Sequence, residues 1–125
     1  MATWTTAELA AIAASDELQL RSERADGTLR DPVTIWVVQD GEDLYVRPVN
    51  GRDGWYRGTQ TTHQGQISSG GVDKHVRFAD ASDDPELNKA IDAAYRAKYH
   101  AYAASIVGPV TNDRARSATI QLIPR

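Results

Sequence analysis

The spacing of apolar positions along the 125-residue chain changes several times, and each change marks an element. Leu9, Ile12 and Ala13 recur at i, i+3 and i+4, which predicts a short helix over about residues 6–14. Thr5 and Glu8 have the capping-box spacing that satisfies two free amides at the start of a helix. Trp4, just before that cap, is placed to staple onto Leu9. From Leu18 the period falls to two, with Leu18, Leu20 and Ser22 on one face. Asp26-Gly27 and Asp40-Gly41 are strong hairpin signals. They bracket one apolar run, residues 33–38, which reads as a single buried strand paired with residues 44–48. Three strands joined by two turns predict a meander.

Asn50-Gly51-Arg52-Asp53-Gly54 reads as a loop of positive-φ formers, and residues 55–60 as a short helical turn. Two strands, 64–68 and 72–79, follow around the Ser69-Gly70-Gly71 turn. Lys74 interrupts the otherwise apolar face of Val72, Val76 and Phe78. Asp84 as N-cap and Pro85 at the first helical position open the longest helix. Its inward stripe is Leu87, Ile91, Ala94, Tyr95 and Lys98, extended by Tyr99, Tyr102 and Ile106 until Gly108-Pro109 stops it. Residues 117–123 form the last strand. The expectation is one mainly β (α+β) domain over residues 1–125. It is a small antiparallel six-stranded barrel with an N-terminal helix and a long helix before the last strand.

Composition narrows the chemistry. With no cysteine there is no disulfide framework, thiolate nucleophile or thiolate metal site. The formal charge of −3 argues against nucleic acid as the main partner. No apolar run approaches a membrane span and the N-terminus has no signal-peptide pattern, which fits a cytoplasmic protein. Nucleophile-elbow, dinucleotide and phosphate-loop motifs are absent, and His63, His75 and His100 are too scattered to spell a metal site, so no metal is expected.

The segment from Tyr45 to His63 gathers Arg47, Asn50, Arg52 and Arg57 around Trp55 and Tyr56. Arginine forks hold phosphate or carboxylate, aromatic faces stack on flat rings, and the glycines allow close backbone approach. A planar anionic ligand fits that set. The alternative is structural: Trp55 and Tyr56 plug the barrel end, and the arginines pair with Asp40, Glu42 and Asp53. A second cluster, Tyr95, Lys98 and Tyr99, shares one helix face.

Arg30 to Val38, the hairpin through Val46, Gly54-Trp55-Tyr56-Arg57 and Ala94 to Tyr99 resemble the bacterial DUF2255 family over nearly the whole chain. That family is similar to the flavin-binding split barrels, which include pyridoxamine phosphate oxidases and deazaflavin-dependent nitroreductases. The likeness to the nitroreductases lies mainly in residues 30–57, where Arg30, Pro32, Trp55 and Tyr56 match their pattern. Their Gly-Arg-Lys-Ser-Gly-like turn is replaced here by Glu23-Arg24-Ala25-Asp26-Gly27-Thr28. The resemblance implies a split barrel that binds flavin mononucleotide (FMN) or a deazaflavin and acts as an oxidoreductase. Arg24, Arg30 and Lys74 would then hold the phosphate, and Trp36, Trp55 and Tyr56 would line the ring. The alternative is a cofactor-free barrel in which Arg47, Asn50, Arg57 and Tyr99 face a small organic substrate. A homodimer is implied in either case, with a small-molecule ligand and neither nucleic acid nor membrane as partner.

Overall fold

The computed structural model describes residues 3–49 and 54–125. Helix α1 (Thr6–Ala13) carries the expected capping box: Glu8 N–H donates to Thr5 Oγ1 (3.1 Å) and Thr5 N–H to Glu8 Oε1 (2.9 Å). Strand β1 (Glu17–Ser22) buries Leu18, Leu20 and Ser22, as its alternation requires. The Asp26-Gly27 turn closes with Thr28 N–H donating to Asp26 Oδ1 (3.0 Å) and leads into β2 (Val33–Trp36).

The expected single strand over residues 33–38 is two strands. Val37 breaks it, and β3 (Val38–Asp40) pairs with β4 (Asp43–Val46) across the Gly41 turn. Among the described residues β2 pairs only with β1, Leu18 facing Ile35. So only the end of that segment, from Val38, lies beside β4, and the sheet has seven strands among the described residues rather than six. The physical cause is at Val37. Its N–H donates to Tyr99 Oη (3.1 Å) and its carbonyl accepts from Lys98 Nζ (2.7 Å), so side chains replace the ladder bonds.

Helix α2 (Trp55–Thr62) follows, then β5 (Gln64–Ser69), β6 (Val72–Asp80) and α3 (Pro85–Lys98), whose Asp84 cap accepts from Glu86 and Leu87 N–H. The long helix does not run on to Ile106. Tyr99 caps it, and a separate α4 (Ala104–Thr111) contains Gly108 and Pro109 instead of being stopped by them. A four-residue α5 (Asp113–Arg116) precedes β7 (Ile120–Pro124).

All sheet pairings are antiparallel, in the order β2-β1-β5-β6-β7-β4-β3. The two terminal strands of that order are neighbours in sequence, joined by Val37 alone. One bent segment thus brings the two edges of the sheet together and nearly closes the barrel. Inside lie Leu18, Leu20, Leu44, Ile67, Phe78 and Leu122, with Trp4 and Tyr56 in the same core. A second core, with Val38, Tyr45, Ile91, Tyr95, Tyr99 and Val110, fills the space between β3–β4 and α3–α4.

Candidate functional site

A cavity of about 310 Å³ opens beside β2. Val33, Thr34, Ile35 and Trp36 form one wall; Val49, Trp55, Ile106 and Val110 complete it, and Arg47 reaches its base. A smaller cavity of about 180 Å³ shares Val33 and Trp55 with it and is lined further by Arg30, Asp31, Gly54 and Gly58. Trp55 thus stands between two spaces, at the first turn of α2, where Gly54 enters the helix with φ 67°. Gly58 lets α2 lie close to β1: a Cβ there would come within 2.5 Å of Ser22 Oγ and 3.4 Å of Arg30 Cδ.

Trp36 is backed by aromatics. Its ring stacks on Tyr99 at 3.8 Å and 4° between planes, with Tyr102 tilted at 4.9 Å. Tyr99 is itself fixed: besides accepting from Val37 N–H, its hydroxyl donates to the carbonyl of Asp16 (2.6 Å). Burial raises the pKa of Tyr99, so the hydroxyl stays protonated across the physiological range. Lys98 beside it is pulled the other way. Desolvation lowers its pKa to about 8, against the attraction of Asp16.

Arg47 is fully buried, and all five guanidinium donors are taken. Nε donates to Thr119 Oγ1 (3.0 Å), and Nη1 to Asp92 Oδ1 and the Val110 carbonyl (2.9 Å). Nη2 donates to Asn88 Oδ1 (2.8 Å) and the Asn88 carbonyl (3.2 Å). Asp92 also accepts from Arg116 Nε (2.8 Å). Arg47 therefore ties β4, α3, α4 and the entry to β7 together rather than offering a fork to a ligand.

The other expected site residues are dispersed. Arg30 lines the smaller cavity, its Nη1 donating to the carbonyls of Glu23 (3.0 Å) and Gly58 (3.3 Å). Arg24 is spent within its own turn, on Thr28 Oγ1 (3.2 Å) and the Leu29 carbonyl (2.9 Å). Lys74 pairs with Glu8 (3.0 Å), joining β6 to α1, and lines neither cavity. Tyr56 is buried in the barrel core and Arg57 is exposed on α2. Asn50, with Arg52 and Asp53, lies outside the described residues. Trp36, Trp55 and Arg47 are thus brought to one cleft, Arg30 to its neighbour, and Tyr99 behind the Trp36 wall.

Sequence reasoning missed the partners of Arg47. Asn88 and Asp92 sit at i and i+4 on the face of α3 that also carries Ile91 and Tyr95. Two polar residues in a buried stripe call for a buried cation, and that spacing was the available signal. The contribution of α4, through Ile106 and Val110, left no such trace. Among the described residues no three His, Asp or Glu side chains could hold a metal ion, and no helix is long and apolar enough to cross a membrane.

Fold and cleft together define a helix-backed antiparallel split barrel. By sequence the chain belongs to the DUF2255 family, described as uncharacterised proteins conserved in bacteria, whose model matches residues 8–122. No curated protein matches the sequence. Among solved structures it is similar to conserved hypothetical protein Rv2991 from Mycobacterium tuberculosis. The TM-score is 0.68 at 11% identity, covering 99% of this chain and 82% of that one. It is also similar to a Bacteroides thetaiotaomicron VPI-5482 protein named for 5-nitroimidazole antibiotic resistance, with TM-score 0.56 and 14% identity over 99% and 81% of the two chains. A third likeness is to a FAD-binding protein from Mesorhizobium loti, with TM-score 0.56 and 11% identity over 98% and 91%. At these identities the likeness is one of fold.

Proposed function

We infer that this barrel binds a flavin or deazaflavin-type cofactor, with the flat ring in the cleft between Trp36 and Trp55, and works as an oxidoreductase. The observation that carries this reading is the cleft itself: two tryptophans line a space of about 310 Å³ in a barrel similar in fold to a FAD-binding protein. The residues fit such a group. Trp36 is a rigid stacking wall, and Arg30 lies in the adjoining cavity, where a phosphate tail would meet its guanidinium. When bound, the cofactor supplies hydride transfer; the protein binds and orients it and keeps water off the ring. Tyr99 and Lys98 hold the strand behind the ring in place. The half-exposed Val49 and Ile106 at the cleft rim favour a homodimer in which a second copy covers the mouth.

A second reading is a cofactor-free barrel that takes a small organic molecule in the same cleft. It is favoured by the state of the basic residues: of Arg24, Arg30 and Lys74, only Arg30 borders a cavity next to the cleft. The absorbance of the purified protein, followed by calorimetric titration with FMN and with a deazaflavin, separates the two. A bound chromophore or saturable binding supports the first. A colourless protein that binds neither supports the second.

A further inference from the structure

The chain has three lysines, and Lys98 is placed unlike the other two. Lys74 is paired with Glu8 (3.0 Å), and Lys89 lies exposed on α3 with Glu86 at 3.7 Å. Lys98 is half-buried, and its Nζ donates to a neutral acceptor, the Val37 carbonyl (2.7 Å). The Tyr99 ring lies 5.4 Å from the same nitrogen. The charge that attracts it is Asp16, whose Oδ2 also accepts from Tyr102 Oη (3.3 Å). Desolvation outweighs that attraction, so the amine loses its proton far below the ordinary range of a lysine.

Lys98 lines a hollow of about 400 Å³ between the end of α1, β3 and α3. Ala94, Ala97 and Lys98 fall at i, i+3 and i+4, so one face of α3 is turned to it. Ala13, Val38 and Gln39 line it from α1 and β3. The short aliphatic side chains of Ala13, Val38, Ala94 and Ala97 leave room for an apolar body beside the amine. Among the described residues this hollow and the cleft beside β2 share no lining residue. The Val37 carbonyl can only accept, so its bond with Lys98 takes up an N–H and leaves the lone pair of the uncharged amine for an electrophile.

We propose that Lys98 is a nucleophilic amine and that the hollow binds small aldehydes with an apolar body, which Lys98 captures as imines. The nitrogen lone pair forms a C–N bond while the carbonyl π pair moves to oxygen. That oxygen takes one proton from nitrogen and a second from solvent. The C–O bond then breaks, water leaves, and the nitrogen pair forms the C=N bond. The iminium keeps one N–H for the Val37 carbonyl, and its positive charge meets the attraction of Asp16 as the ammonium did. The step needs no oxidant, reductant or cofactor, so it stands apart from the flavin reading.

The test is reductive trapping of the full chain with benzaldehyde and sodium cyanoborohydride at pH 8, with the adducts located by peptide mass mapping. Lys98 is expected to be labelled at least roughly tenfold faster than Lys74 or Lys89, because a larger share of it is uncharged at that pH. Its rate should saturate with benzaldehyde, as binding in the hollow requires. Formaldehyde, which has no body to fill the hollow, should react in proportion to its concentration. Ala97→Leu, at an exposed helix position, fills the hollow and keeps the lysine. It should slow benzaldehyde labelling of Lys98 by at least about tenfold and leave that of Lys89 as it was. Labelling of Lys98 no faster than Lys89, a rate that stays proportional to benzaldehyde, or an unchanged rate in the Ala97 variant would overturn the proposal.

Discussion

Arg47 illustrates how one buried charge is made tolerable. A guanidinium removed from water costs several kcal/mol unless every donor is met, and here Thr119, Asp92, Val110 and Asn88 meet all of them. Arg47→Met leaves Asp92 buried with only Arg116 for company, and should lower unfolding free energy by about 3–5 kcal/mol in urea titration. Arg57→Ala, on an exposed residue, should change it by less than about 0.5 kcal/mol. Lys98 sets a different signature. Its folded pKa of about 8 lies below its ordinary value of 10.5, so between those values the unfolded chain holds more proton than the folded one. Stability should therefore rise with pH from about 8 toward 10.5, and the penalty is fully present below 8. Above pH 10 the trend should reverse. Burial raises the folded pKa of Tyr95 and Tyr99, so unfolding then releases protons. Melting temperatures across pH 7 to 10 should show the rise in the native protein and lose it in Lys98→Met.

Among the elements, α3 and the bent β2–β3 segment depend on each other. Tyr99 at the end of α3 supplies the hydroxyl for Val37 N–H, and its ring braces Trp36. Tyr99→Phe keeps the stack and removes the acceptor, which should cost about 1–3 kcal/mol in denaturant unfolding, the penalty of a buried unpaired donor. Packing of α2 rests on Gly58. Gly58→Ala should destabilise by roughly 1–3 kcal/mol through the clash with Ser22, and adding Ser22→Ala should return most of the loss; no recovery would mean the helix is not seated on β1 as described. Most of these elements were legible in the pattern of the chain, because caps, Asp-Gly turns and period-two faces are local signals: Thr5 with Glu8, Asp84 with Pro85, Leu18 with Leu20. The break at Val37 was not. It is made by Tyr99 and Lys98, about sixty positions away, and nothing in Val33 to Val38 announces it. The same holds for the cleft. Trp36 and Trp55 stand out in the sequence, whereas Val49, Ile106 and Val110 join them only once α4 folds back. Arg47 is the opposite case, since sequence shows the arginine and hides Asn88, Asp92 and Thr119, which occupy its donors.

At the scale of the whole molecule, one bent segment nearly closes the sheet and α3 and α4 back it, leaving a cleft beside β2, which has no second strand partner among the described residues. Val49 and Ile106, at 52% and 50% exposure, place apolar surface around its mouth. A homodimer would cover it, so light scattering at micromolar concentration should report twice the monomer mass, and Val49→Asp should shift it toward monomer. The proposed cofactor reading puts a flat ring between Trp36 and Trp55. Calorimetric titration of FMN into the native protein and into Trp55→Ala tests it most directly. Saturable binding of one FMN per chain is expected, weakened at least about tenfold in the variant, as loss of a stacking wall would do. Binding that the variant leaves unchanged, or no binding by the native protein, would contradict it.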